Sequence, residues 1–340
     1  MQRQTITLEA LAARDNLALA TWKAAKGKSS RPAVARFLAD LDRQLAALAE
    51  AILEERAPLG RATCFTIHDP KRRTIHAACF ADRVLHHAIL NLAEARFERM
   101  LVDGTYACRP GKGVHAAVLA VQRGLRSRPW FVQVDVDAYF PSIRHDLLLE
   151  LLRRRFRGEP FLRLLERILD RAATNGPSVG LPIGSLTSQH FANAFLDSAD
   201  RLLLAEPGCG CVVRYMDDLF WVCDDRRVAE TSLAALRAHL LEQRGLTLKS
   251  SVRIARSEQG TRFCGFRVRQ GVVLASPRRM SRYRAALARI GRAADEGVAS
   301  DGELQRAVDA ALATLCGCRS DAFRRRVLEE LGAARADAVL

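Results

Sequence analysis

Two aspartates stand side by side in the run Arg214-Tyr215-Met216-Asp217-Asp218, with an apolar run on either side, Cys211–Met216 and Leu219–Cys223. Adjacent carboxylates between apolar strands are costly, because their charges repel and both are partly desolvated. A divalent cation removes that cost, and Mg²⁺ takes carboxylate and phosphate oxygens in octahedral geometry. Holding two such ions about 3.5–4 Å apart, close enough to activate a hydroxyl and stabilise a leaving phosphate, needs a third carboxylate. Asp135 is the candidate, near the end of the alternating run Trp130-Phe131-Val132-Gln133-Val134-Asp135-Val136-Asp137. If the two strands pair antiparallel, Asp135 and Asp217 face each other at one sheet edge. Taken by itself, Asp-Asp is also what a plain polar turn would carry.

The elements around these acids can be read from periodicity. The runs flanking Asp217-Asp218 predict a hairpin with a tight polar turn. Helical spacing recurs at Leu147–Phe156, Ser188–Leu204 and Val228–Gln243, with strands near Leu246–Ile254 and Arg262–Val268. Strand, helix, hairpin, helix, strand is an α+β order, compatible with a split βαβ sheet packed on helices. Before it, Phe37, Leu41, Leu45, Leu48 and Ile52 predict one packing helix, after a basic stretch Lys23–Arg31 that could contact phosphates. From Ser276 onward the pattern is helical only, and Gly271 and Pro277 mark the boundary.

Of 340 residues, 49% are hydrophobic and 27% charged, which excludes wholesale disorder. Lysine and arginine number 53 against 38 acids, a net charge of +15, and such an excess suggests a polyanionic partner through counterion release. Charge does not separate a polymerase from a passive nucleic-acid coat. No apolar stretch approaches the ~18 residues of a membrane span, and the N-terminus leads into no apolar signal core. Nine cysteines, an odd number in a chain with ample core, argue against a disulfide framework and for a reducing, cytoplasmic setting.

With these residues in view, the chain resembles the reverse transcriptases. Tyr215-Met216-Asp217-Asp218 is their signature, and Asp135-Val136-Asp137-Ala138-Tyr139-Phe140-Pro141-Ser142-Ile143 looks like their first catalytic motif. The segment from Gly180 to Asn193 matches the motif under the incoming nucleotide, and Phe263-Cys264-Gly265-Phe266-Arg267-Val268 looks like the primer-grip hairpin. Asp69–Arg73, Phe80–His87 and Tyr106–Gly113 resemble fingers motifs, so the resemblance runs in order over roughly residues 60–270. It implies a right-hand polymerase. Residues 1–128 would be fingers with an N-terminal helical extension, 129–275 palm with a helical insertion near 145–178, and 276–340 a helical thumb. At the nucleotide floor, Ile183-Gly184-Ser185-Leu186-Thr187-Ser188-Gln189 replaces the Gln-Gly-x-x-x-Ser-Pro form of retroviral and group II intron enzymes. That form resembles the enzymes of diversity-generating retroelements, which copy a template-repeat RNA with errors at adenines and work with a small basic accessory variability protein. A retron-like or phage-defence enzyme is the alternative, and a non-catalytic RNA-binding scaffold the rival from another class.

The resemblance implies roles residue by residue. Asp135, Asp217 and Asp218, with the Val136 carbonyl, would hold two Mg²⁺ ions, while Asp137 stays outside the chemistry. Lys71 and Arg73 would clamp the triphosphate, with Arg72 between them pointing elsewhere. Tyr139 would close the space a 2′-hydroxyl needs, Phe140 being core. Ile183, Gly184 and Gln189 would form the floor, where an apolar residue in place of an amide discriminates weakly. Phe263, Gly265 and Phe266 would grip the primer, and Lys249 is a general-acid candidate. Template RNA, primer or cDNA and dNTPs are the implied partners. Arg278, Arg279, Arg282, Arg284 and Arg289 could track a hybrid's phosphates. His86 and His87, adjacent and without cysteine partners, read as structural. Cys209-Gly-Cys211 and Cys316-Gly-Cys318 lack the spacing of a zinc site.

Overall fold

A computed structural model of the chain describes residues 3–58, 60, 62–68, 72–172 and 174–339; Lys71, with Asp69 and Pro70, lies outside them. In chain order the first elements are β1 (Gln4–Thr5), α1 (Leu8–Ala12), α2 (Arg14–Ala25), α3 (Pro32–Ala39), α4 (Leu41–Leu53), β2 (Thr63–His68), β3 (Arg72–Ala77), α5 (Phe80–Met100) and α6 (Val114–Ser127). Then come β4 (Trp130–Asp135), α7 (Tyr139–Ser142), α8 (His145–Arg153), β5 (Phe156–Arg157), α9 (Glu159–Ala172), α10 (Leu186–Phe195), α11 (Asp197–Ala205), β6 (Cys209–Tyr215) and β7 (Asp218–Cys223). The last are α12 (Arg226–Arg244), β8 (Arg253–Arg256), β9 (Thr261–Phe263), β10 (Phe266–Val268), β11 (Val273–Ala275), α13 (Pro277–Asp295), α14 (Asp301–Ala313) and α15 (Asp321–Val339). The order is α+β, as the periodicity predicts.

The chain divides into two compact units. The first holds residues 1–108, 135–202 and 234–250. Its central helix is α5, in which Val84, Leu85, Ala88, Ile89, Ala93 and Phe97 are buried together with Asp82, His86 and Arg96. A helix covered on nearly every side shows no single apolar face, which is why the sequence there reads as mixed. Phe97 sits among Phe156, His190 and Phe191, with ring centroids 5.4, 5.7 and 6.0 Å away. The single helix expected through Phe37 and Ile52 is two. Asp40 leaves helical geometry at φ −130° and ψ 46°, and α4 restarts at Leu41. Hairpin β2–β3 runs in antiparallel register from Thr63↔Ala77 to His68↔Arg72.

The second unit holds residues 109–134, 203–233 and 251–340. Its four-stranded sheet has the order β6-β7-β4-β8. β6 and β7 pair antiparallel with a bulge between Gly210 and Val213, and β4 pairs antiparallel with β8 from Trp130↔Arg256 to Gln133↔Arg253. Phe131 of β4 stacks on Phe220 of β7, with centroids 5.5 Å apart. The strand expected over Leu246–Ile254 is shorter, and only Arg253–Arg256 joins the sheet. A second, three-stranded sheet has the order β11-β10-β9. After it, α13, α14 and α15 close on a core of Tyr283, Leu287, Ala311, Leu315 and Val327. Among the described residues no helix is long and apolar enough to cross a membrane.

Candidate active site

The Asp217-Asp218 turn follows from its flanks. Val212, Val213 and Leu219 through Val222 are buried, so both strands are pinned and the polar pair is left at the bend. Tyr215↔Asp218 closes a two-residue turn in which Met216 takes φ +57°, a left-handed conformation that non-glycine residues rarely adopt and that recurs at functional sites. Arg214, wholly buried, donates from NH1 to the Met216 carbonyl at 3.2 Å and braces the bend. Asp217 and Asp218 are half-buried at its tip. Burial, together with the negative charges of Asp218 and Asp217, pushes the Cys264 thiol well above its ordinary range.

Asp135 is the last residue of β4, on the strand face that carries Phe131 and Gln133. Gln133 donates from Nε2 to Asp218 Oδ1 at 3.0 Å. Within the first unit, Lys249 Nζ lies 2.7 Å from Asp135 Oδ1. The Lys249 N–H donates to the Asp135 carbonyl at 2.9 Å, and the Asp137 N–H to the Thr247 carbonyl at 2.8 Å. These bonds flank the Val136↔Leu248 bridge, so the carbonyl of Val136 is turned away from the 247–249 segment. Asp137 is exposed.

Tyr139 is turned into the core. Only 3% of it is exposed and its hydroxyl donates to the Ala192 carbonyl, so ring and hydroxyl are both spent on packing. Phe140, expected in the core, is the half-exposed ring at this bend. The short helix α7 turns Tyr139 inward and leaves Phe140 half-exposed.

In the first unit, Arg73 and Ile183 line one depression, with Thr74, His76, Pro141, Thr174 and Leu181. Arg72, expected to point elsewhere, lines it too. The Ile183 carbonyl accepts from the His76 N–H at 2.9 Å, tying the floor loop to β3. Gly184 has φ +110°, and a Cβ there would lie 2.9 Å from Ile75 Cγ2. The close approach that demands glycine is therefore to the β3 hairpin. Gln189 opens with Gly184 onto a different depression, lined also by Lys28, Arg83 and His87. Desolvation and the positive charges of Lys23, Lys28 and Arg83 lower the pKa of His87. His86 is buried against the Thr187 hydroxyl at 2.9 Å, and burial lowers its pKa to about 4.

In the second unit, Phe263 and Phe266 are both 1% exposed and register-paired across the β9–β10 turn Cys264-Gly265, where φ is +47° and +77°. Arg279 leaves the expected arginine stripe. It donates to the carbonyls of Cys264 and Thr314, each at 3.0 Å, and its guanidinium sits 4.1 Å from the Phe266 ring. Arg278, Arg282, Arg284 and Arg289 are exposed. Gln133 was not singled out from the sequence, although strand alternation places it on the face of Asp135.

Among the described residues, no three His, Cys, Asp or Glu side chains converge closely enough to hold a metal ion by themselves. Magnesium seldom needs such a cage, since one or two carboxylates with substrate phosphates and water usually suffice. In the second unit the half-exposed Asp217-Asp218 pair supplies hard oxygen donors of that kind, and in the first unit the Asp135 carboxylate is another, paired with the Lys249 ammonium. The residues fit magnesium.

The family model described as reverse transcriptase (RNA-dependent DNA polymerase) matches residues 68–268. The group II intron-encoded protein LtrA of Lactococcus lactis subsp. cremoris is 23% identical over 152 residues, 43% of this chain and 25% of that protein. Protein YkfC of Escherichia coli (strain K12) is 28% identical over 144 residues, 39% of this chain and 38% of its own. The matched stretch is thus well under half the length of either relative. A solved telomerase from Candida albicans, in complex with a TWJ fragment of telomeric RNA, aligns at a TM-score of 0.46 and 9% identity, covering 71% of this chain and 55% of that one.

Proposed function

The chain belongs to the reverse transcriptase (RNA-dependent DNA polymerase) family, and on that premise we propose that it builds DNA on an RNA template. The observation that carries the reading is the braced turn presenting Asp217-Asp218, with Asp218 held by Gln133 on the strand that ends at Asp135.

Asp135, Asp217 and Asp218, with the Val136 carbonyl, would hold two Mg²⁺ ions. When bound, these supply activation of a primer 3′-hydroxyl and neutralisation of the leaving pyrophosphate. The remaining work belongs to the chain. Arg73, with Lys71 and also Arg72, grips the triphosphate of the incoming dNTP. Phe140, the half-exposed ring, takes over from Tyr139 the screening of the ribose 2′-hydroxyl. Ile183 and Gly184 form the floor, with Gln189 behind it. The β9–β10 turn, with Phe263 and Phe266 fixing it from inside and Gly265 at its tip, supports the primer end. Lys249, whose Nζ lies beside Asp135, would supply a proton to the leaving phosphate oxygen.

The finer reading is the mutagenic enzyme of a diversity-generating retroelement, supported by the Ile183-Gly184…Ser188-Gln189 floor and implying a small basic accessory protein as partner. The matched group II intron protein favours a second reading, an ordinary group II intron-like or retron-like enzyme of normal fidelity. Primer extension with dNTPs and Mg²⁺ on an adenine-containing RNA, followed by cDNA sequencing, tests both. Errors confined to template adenines support the retroelement enzyme, and accurate cDNA the second reading. No synthesis, with native RNA and partner present, refutes the polymerase and leaves an RNA-binding scaffold.

A further inference from the structure

We propose that Gln133 is a positioning residue that ties the Asp218 carboxylate to the β9–β10 hairpin, so that a metal-binding carboxylate and the primer support are held in one register. The proposal rests on the polymerase reading of the site. Gln133 Nε2 donates to Asp218 Oδ1 at 3.0 Å and to the Arg262 carbonyl, on β9, at 3.0 Å. Both amide hydrogens are thereby used.

The amide's orientation is dictated by the groups behind it. Arg253, strand partner of Gln133, donates from NH1 to the Thr261 hydroxyl at 3.2 Å. A guanidinium can only donate, so that hydroxyl accepts from Arg253 and passes its own hydrogen on to Gln133 Oε1, at 2.6 Å. Thr261 is 5% exposed, which leaves water little access to the exchange. With Oε1 fixed on Thr261, Nε2 must face Asp218 and Arg262. Glutamate has no hydrogen to offer either acceptor, and asparagine is one methylene too short to span from β4 to both.

Partners that orient a metal-binding carboxylate typically matter by about 10–100-fold in affinity or rate. The test is Gln133→Met, which keeps the length and apolar stem and removes every hydrogen bond. Two readouts apply: Mn²⁺ binding to the substrate-free protein by electron paramagnetic resonance, and kcat and KM for dNTP in primer extension. Mn²⁺ affinity and kcat should each fall about tenfold, with KM for dNTP within about twofold. Hydrogen exchange should quicken at the Arg262 segment. Thr261→Val, which removes only the hydroxyl that orients the amide, should move the same readouts in the same direction by less, and it decides the matter if Gln133→Met fails to fold. Wild-type Mn²⁺ affinity together with wild-type kcat in the variant overturns the proposal. If the wild-type protein extends no primer, the polymerase reading fails, while Mn²⁺ binding still decides the role of Gln133.

Discussion

Asp197 and Asp200 open helix α11, 5% and 0% exposed. Asp197 accepts from the Val102 N–H at 3.3 Å and from Arg201 Nε at 2.8 Å, and Asp200 accepts from the Thr105 hydroxyl at 2.9 Å. Asp217 and Asp218, in the other unit, are set even closer in sequence but stand half-buried on a turn with a left-handed residue. The first pair is sunk among donors at a helix N-terminus, where its charge secures the helix and the loop before it. The second is lifted to the surface by two apolar strands and keeps an open side. Close-set acids do not by themselves mark chemistry: the first pair is buried at a helix start, the second stands half-exposed on a turn.

Substitution should separate the two pairs. Asp217→Ala should lower primer extension by at least ~1,000-fold while shifting Tm by no more than ~2 °C. Asp200→Ala should do the reverse, costing about 2–4 kcal/mol in denaturant unfolding because the Thr105 hydroxyl loses its buried partner, with turnover per folded molecule kept. A variant at Asp217 that still synthesises DNA would break the comparison.

The pH dependence sharpens it, since the unit that buries acids also buries His86. Its pKa in the fold is about 4, against an ordinary value near 6.5, so between those pH values the unfolded chain binds the extra proton. Stability contributed by the neutral form is complete above pH 6.5 and is lost as pH falls towards 4, by up to roughly 3 kcal/mol. Thermal melts from pH 7 to 4 should show this loss, and His86→Gln should flatten it. Gly184→Ala comes next. A Cβ 2.9 Å from Ile75, at φ +110°, should cost about 1–3 kcal/mol and raise KM for dNTP several-fold, while leaving the Asp217-Asp218 turn untouched.

The smallest effect concerns Cys209, which lies opposite Cys223 at the far end of the β6–β7 hairpin. A hydrogen bond from the Cys223 thiol lowers the Cys209 pKa below the ordinary thiol value. Alkylation at Cys209, followed by mass spectrometry, should rise through a midpoint below that of an ordinary thiol. Cys223→Ala, which removes the donor, should move that midpoint back up towards the ordinary thiol value.

Much of the site was legible because its signals are local. Apolar runs on both sides of Asp217-Asp218 force a hairpin whatever the rest of the chain does, and alternation puts Asp135 at a strand end. Glycine at 184 was legible as part of the floor motif, but not the Ile75 side chain it packs against. Helix α5 escaped because its polar residues are buried beside its apolar ones. Tyr139 and Phe140 are neighbours of similar chemistry, and only the inward turn at α7 tells them apart. Arg279 looked like one more basic residue of a solvent-facing stripe until Phe266 appeared beneath it.

The sequence by itself determined the turn, its two acids and the strand leading to a third, since hydrophobic alternation and turn chemistry act over a few residues. Tertiary structure alone decided which side chains brace them. Gln133 meets Asp218 across 85 positions and Arg262 across 129, and no pattern in a single strand encodes partners that far along the chain.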